Sequence, residues 1–180
     1  MNAKVARLTR TAVFLAIPVL MTACLKPEEF PDEPILTFKS IEQKYELFPN
    51  GTAPERVINV TVGFTDGDGD IGLDDTDTQS PFGNGEAHYF NFQVDFMKRI
   101  DGVWTDVLSN YPNRMKRISP SGQDPTLNGE ITLKIGPYPG TRPDFYPVIE
   151  TGDTMMAVVW LEDRSLNRSN TVSSNSFILE

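Results

Sequence analysis

The chain has 180 residues, with 25 acidic side chains against 16 basic ones and a formal net charge of −9 at neutral pH. That balance argues against nucleic acid or an anionic membrane face as a partner and suits a solvated, cation-binding surface. A single Cys and a single His exclude an internal disulfide and a two-His metal site, disfavour zinc, and leave little room for a Ser-His-Asp triad.

Residues 1–23 read as a lipoprotein signal peptide. Lys4, Arg7 and Arg10 precede the apolar run TAVFLAIPVLMTA. At roughly a dozen residues, that run has signal-core length and is too short for a bilayer-spanning helix. It ends in LMTAC, which resembles a lipobox and makes Cys24 the acylated amino terminus of the mature chain. Met21 stands where Leu, Val or Ile is commoner in such a box. Each buried acyl CH₂ contributes roughly 0.8 kcal/mol, so several chains on one Cys anchor stably. The mature chain, 24–180, would hold 157 residues, 13 basic and 25 acidic, for a charge of −12. Residues 24–34 follow as an acidic, Pro-rich tether. Its KPEE resembles the signal that sends Bacteroidetes lipoproteins to the outside of the outer membrane; a plain flexible linker is the other reading.

From residue 35 to residue 180 the apolar period is two, which predicts one β-sandwich domain. ILTFKSI forms a first short strand. In RVINVTVGF, residues Ile58, Val60, Val62 and Phe64 share one face. In YFNFQVDFMKRI the inward set is Phe90, Phe92, Val94 and Phe96. Asp101-Gly102 is a hairpin signal, and VWTDVL returns from it. EITLKI offers Ile131, Leu133 and Ile135 to one face; TMMAVVWLED is apolar on both faces, as a central strand would be; TVSSNSFIL closes the chain. No segment has sustained helical periodicity. The expected fold is an all-β, antiparallel, immunoglobulin-like sandwich of about seven strands with long loops.

The loop after the second strand, DGDGDIGLDDTD, carries the densest charge in the chain. Asp66, Asp68 and Asp70 alternate with Gly67 and Gly69. A spacing of two lets three carboxylates converge when the backbone curls, and the glycines permit the curl. Calcium takes six to eight oxygen ligands and tolerates irregular geometry. Counting from Asp66, Asp74 and Asp77 fall at the ninth and twelfth places of an EF-hand loop, but Ile71 stands at the sixth, where Gly is required, and Asp77 stands where Glu is. No helix is expected on either side. The pattern resembles the D-x-D-x-D calcium loops of extracellular proteins. A solvated acidic turn is the alternative. In a sandwich of this kind the loop before the last strand lies at the same end. LEDRSLNRSN would then bring Asp163 beside the acidic loop, with Asn167 supplying an amide or capping the turn; a salt bridge from Asp163 to Arg164 or Arg168 competes with that role. The predicted calcium ligands are Asp66, Asp68, Asp70, Asp74 and Asp163.

FTDGDGDIGL, followed about 90 residues later by DRSLNRSNTV, resembles a family of uncharacterised Bacteroidetes lipoproteins. These pair a DGDGDIG loop with a C-terminal D-R-x-x-N-x-S-N segment. With the lipobox and the hairpin KRIDGVW, the similarity covers most of the chain. The resemblance implies a cell-envelope location and no established activity.

His88 reads as structural, and no nucleophile elbow, phosphate loop or dinucleotide fingerprint occurs. Three functions stay open. The first is a membrane-anchored binding module for a protein or glycan, exposed at the cell surface or on the periplasmic face. The second is a structural or assembly subunit of an outer-membrane complex. The third is a glycan-active enzyme with paired carboxylates, which the crowding of the acids into one loop disfavours. In GPYPGTRPDFYP, Tyr138, Phe145 and Tyr146 alternate with prolines that would hold them stiffly as a ligand contact; the other reading has them fold back to cap the sandwich.

Overall fold

Alternating apolar residues along β2 (Glu55–Asp66) make it the centre of a first sheet. The computed structural model describes residues 29–49, 53–119, 125–136 and 149–180. The signal segment 1–23, Cys24, and Tyr138, Phe145 and Tyr146 lie outside the described residues. β2 pairs antiparallel with β1 (Ile35–Glu46) on one side and β5 (Leu127–Ile135) on the other. Val60, Val62 and Phe64 are buried, and across the ladder Val62 faces Ile131 while Val60 faces Leu133.

The second sheet is ordered β4-β3-β6-β7, with β8 also pairing β6. Its strands are β3 (Phe92–Ile100), β4 (Val103–Asn113), β6 (Thr154–Leu161), β7 (Val172–Ser173) and β8 (Phe177–Ile178). Asp101 and Gly102 both take positive φ, 51° and 84°, as the tight turn of a two-residue hairpin requires. On β6, Met155, Ala157, Val159 and Leu161 are buried, while Met156, Val158 and Trp160 on the other face are half-buried. That explains a strand apolar on both faces: it lies inside the sheet, between β3 and the short closing strands. Both sheets are antiparallel and no described residue is helical. Strands one, two and five in one layer, with four, three, six and seven in the other, give an immunoglobulin-like β-sandwich. Phe92, Phe96, Leu36, Ile135 and Leu161 fill the space between the layers, and each such side chain contributes about 1.5–3 kcal/mol by leaving water.

Two sequence expectations are adjusted. Phe90 lies just before β3 and is 40% exposed, stacked edge-on against Tyr89 at 4.8 Å between ring centroids. The closing segment is two short strands, making eight among the described residues. Ser174 interrupts the ladder there: its backbone N–H donates to the Ala157 carbonyl at 2.8 Å, and its hydroxyl accepts from the Ala157 N–H at 2.9 Å.

The registers fix one end of the sandwich. Thr65 pairs with Ile35, Asp66 with Leu127, and Phe92 with Leu161. The start of β1, the end of β2, the start of β3 and the end of β6 therefore lie together. The connection 67–91, the turn 162–171 and the segment 29–34 all emerge there.

Candidate metal centre

Asp66 ends the inward row of β2 that begins with Ile58, Val60, Val62 and Phe64. The apolar pattern thus delivers a carboxylate to the mouth of the core, where Asp66 is 0% exposed. The chain then curls through Gly67, Asp68, Gly69 and Asp70. Gly69 has φ 70°, a conformation glycine adopts without strain. Asp70 is 9% exposed and Asp68 half-buried. Asp163 arrives from the β6–β7 turn and is 1% exposed. One carboxylate oxygen from each of Asp66, Asp68, Asp70 and Asp163 lies within 4.8 Å of the others. The shared end of the sandwich, expected from the strand order, brings Asp163 to the acidic loop.

Some oxygens of the cluster are held by hydrogen bonds and others are not. Asn167 donates its backbone N–H to Asp163 Oδ1 at 2.8 Å and its side-chain amide to Oδ2 at 2.9 Å. Ser165 donates its hydroxyl to Asp70 Oδ2 at 2.8 Å. Both oxygens of Asp66, with Asp68 Oδ1 and Asp70 Oδ1, are buried and accept no hydrogen bond. An unpartnered buried carboxylate is costly, and several facing one another are more so. Burial, then the carboxylates of Asp68, Asp70 and Asp163, push the Asp66 carboxyl up to about 7; the Asp70 backbone N–H pulls slightly the other way without satisfying either oxygen. Burial raises Asp163 to about 6, with the Asn167 hydrogen bonds opposing and Asp70 and Asp68 adding to it. Burial and the neighbouring Asp70 carboxylate also raise Asp68. Four convergent carboxylates, three of which carry buried oxygens without a hydrogen-bond partner, can hold a metal ion, and an all-oxygen donor set suits a hard cation.

Asp74 is not part of this group. Beyond Asp70 the chain drives Ile71 and Leu73 into the core, where they are 0% and 2% exposed. The Leu73 N–H donates to the Met115 carbonyl at 3.0 Å, and the Leu73 carbonyl accepts from Arg117 N–H at 3.2 Å. This plug is why Ile71 replaces the EF-hand glycine, and it carries Asp74 away from the cluster. Asp74 Oδ2 lies 3.4 Å from Arg117 Nη1 and 3.5 Å from Arg164 Nη1. Asp77 pairs with Arg164 and accepts the Asp74 N–H at 2.7 Å. Arg164 therefore ties the two loops together instead of neutralising Asp163. Arg168 stacks over Trp160 at 3.9 Å, and Asn167 caps the turn.

Sequence reasoning missed Arg114. Its guanidinium donates to the carbonyls of Asp74, Asp77, Phe82 and Tyr89 at 2.8–3.2 Å and lies 4.9 Å from the Tyr89 ring centre. One side chain thus closes much of the long connection, and nothing in the local sequence marks it. His88 pairs with Glu162 across the same two loops, a structural position. No protein family, curated protein or solved structure matches the chain. The fold and the site define an all-β sandwich with a four-carboxylate cluster at one end.

Proposed function

We propose that this protein is a calcium-binding β-sandwich, anchored to the cell envelope through Cys24, whose calcium-stiffened loops act as a binding module for a protein or glycan. The reading assigns it no catalytic role. One observation carries it: Asp66 is wholly buried with two unpartnered oxygens, facing three further carboxylates that converge on one point. Protons would neutralise those charges but leave them without a common ligand. Calcium would satisfy all four residues at once, in the loop geometry it tolerates better than magnesium does. What supports the anchor is the basic and apolar amino-terminal segment ending at the single Cys.

Calorimetric titration of the full chain in detergent tests the site. Calcium should bind once, with a dissociation constant of roughly 10⁻⁴ to 10⁻³ M, as extracellular modules do. Asp163→Asn should weaken it clearly. Asp74→Asn should change it little, because Asp74 belongs to the arginine pairs. No heat at millimolar calcium would defeat the reading. For the anchor, Cys24→Ala should abolish palmitate labelling and membrane retention after a salt wash; retention in the variant would overturn it.

A further inference from the structure

The segment before β1 lies against the metal loop. The Gly67 N–H donates to the Pro31 carbonyl at 2.7 Å. A Cβ on Gly67 would stand 2.3 Å from the Phe30 carbonyl oxygen and 2.7 Å from that of Pro31, so the two backbones touch where only glycine fits. Gly67 sits between Asp66 and Asp68, two residues of the cluster. The far end of the segment is pinned independently: Asn170 accepts the Leu36 N–H at 2.7 Å and donates its side-chain amide to the Leu36 carbonyl at 3.0 Å. Residues 29–34, EFPDEP, thus cross the sandwich end as a strap. The strap carries Glu29, Asp32 and Glu33 and no base. Acidic chain is therefore laid over an acidic cluster. Burial, then the Asp70 carboxylate and then that of Asp32 push the Asp68 carboxyl above its ordinary range, so the strap's charge is felt inside the loop.

We infer that cation binding at Asp66, Asp68, Asp70 and Asp163 fastens residues 29–34 across Gly67, making the metal centre a clamp that sets how the sandwich is held relative to the chain before residue 29. The inference rests on the calcium reading above. Its physical basis is the strength of the repulsion between the cluster and the strap. Without a cation, the four carboxylates repel the acidic strap, and the Gly67–Pro31 main-chain hydrogen bond works against that repulsion. A divalent ion offsets two of the cluster's charges, which weakens the repulsion and lets the strap stay seated on Gly67. Coupling of this kind is reciprocal, so a displaced strap weakens calcium by the factor by which calcium protects the strap.

The test is limited proteolysis of the full chain in detergent with a Glu-specific protease. Cleavage between Glu29 and Phe30 is followed in millimolar calcium and in chelator. A synthetic peptide of residues 25–34 corrects for any effect of calcium on the protease. Calcium should slow cleavage by a factor within the roughly 5- to 150-fold range typical of coupled sites. Gly67→Ala puts a methyl into the Phe30 carbonyl, and its strap should be cut equally fast in both conditions. Asp32→Lys reverses one strap charge, and should slow cleavage in chelator while weakening calcium by about two- to fivefold, as expected for a charge within about a Debye length of the ion. If Gly67→Ala does not fold, Asp32→Lys carries the test alone. Calcium binding by calorimetry with identical cleavage in calcium and chelator overturns the clamp and leaves the metal site standing. No calcium binding at all overturns both.

Discussion

Asp66 places a carboxyl at the end of a β2 row whose Ile58, Val60, Val62 and Phe64 are apolar. Its carboxyl is raised to about 7 and that of Asp163 to about 6, against roughly 3.9 for Asp in an unfolded chain. Between about pH 4 and pH 7 the folded protein therefore holds protons that the unfolded chain has released. With chelator present, stability should fall as pH rises through that window, the reverse of the usual carboxylate behaviour. The loss is on the order of a few kcal/mol for the coupled group. Protons and calcium compete for the same oxygens, so calcium affinity should climb over the same range. Thermal melts from pH 4 to pH 8, with calcium and with chelator, check both signs; a chelated protein that stabilises towards pH 7 would contradict the burial argument. Asp66→Asn keeps the shape and removes the charge. It should raise the melting temperature in chelator at pH 8 and weaken calcium by about tenfold or more, since a buried charge without a partner is costly and a bound ion repays it. A variant that lost stability in chelator would mean that the Asp66 charge has a partner within the fold.

At the scale of strands and loops, apolar alternation made β2, β3 and β5 legible, and Asp101-Gly102 made the first hairpin legible. The meeting of Asp163 with the acidic loop was legible too, because it follows from strand order and not from side-chain detail. Asp74 was misplaced because a ligand count runs along the chain, whereas Ile71 and Leu73 turn the chain into the core between the third Asp and the ninth place. The Ser-Asn pairs were illegible for a different reason. Ser169 and Ser174 each use a hydroxyl to accept a β6 backbone N–H, from Leu161 at 3.0 Å and Ala157 at 2.9 Å. Each then donates to the carbonyl of the following Asn at 2.8 Å. A side chain standing in for a strand leaves no periodic signal. Five residues of the segment DRSLNRSN thereby have a structural role: Asp163 in the cluster, Arg164 on Asp77, Asn167 capping Asp163, Ser169 on β6 and Asn170 on β1. Ser174→Ala leaves the Ala157 N–H buried without an acceptor and should cost about 1–3 kcal/mol in denaturant unfolding. Calcium affinity should be unchanged, because Ser174 lies beyond β7, away from the cluster. A coupled loss of affinity would show the closing strands to be part of the site.

For the molecule as a whole, the two ends of the sandwich should respond differently to calcium. The end built from 66–70, 162–168 and the strap gathers its buried charge in one place, while the opposite end is closed by the Asp101-Gly102 turn, whose Gly102 has open space around it. At about 1 mM free calcium and the expected affinity, the linkage gain is roughly 0.4 to 1.4 kcal/mol. For a domain of this size that raises the melting temperature by on the order of 2–4 °C per kcal/mol. The global shift is small because one weakly bound ion is being weighed against an entire core. The local effect is larger: in chelator the carboxylates face one another, and the loops that carry them should open without unfolding the sheets. Hydrogen exchange should therefore accelerate on calcium removal at 67–70 and 163–167, and stay constant at 99–104 and along the β2–β5 ladder. Asp101→Asn should leave calcium affinity and the exchange pattern unchanged, whereas Asp68→Asn should reproduce the chelator pattern with calcium present. Uniform acceleration through both sheets would mean that calcium stabilises the sandwich as one unit, and that its loops have no independent opening for the ion to control.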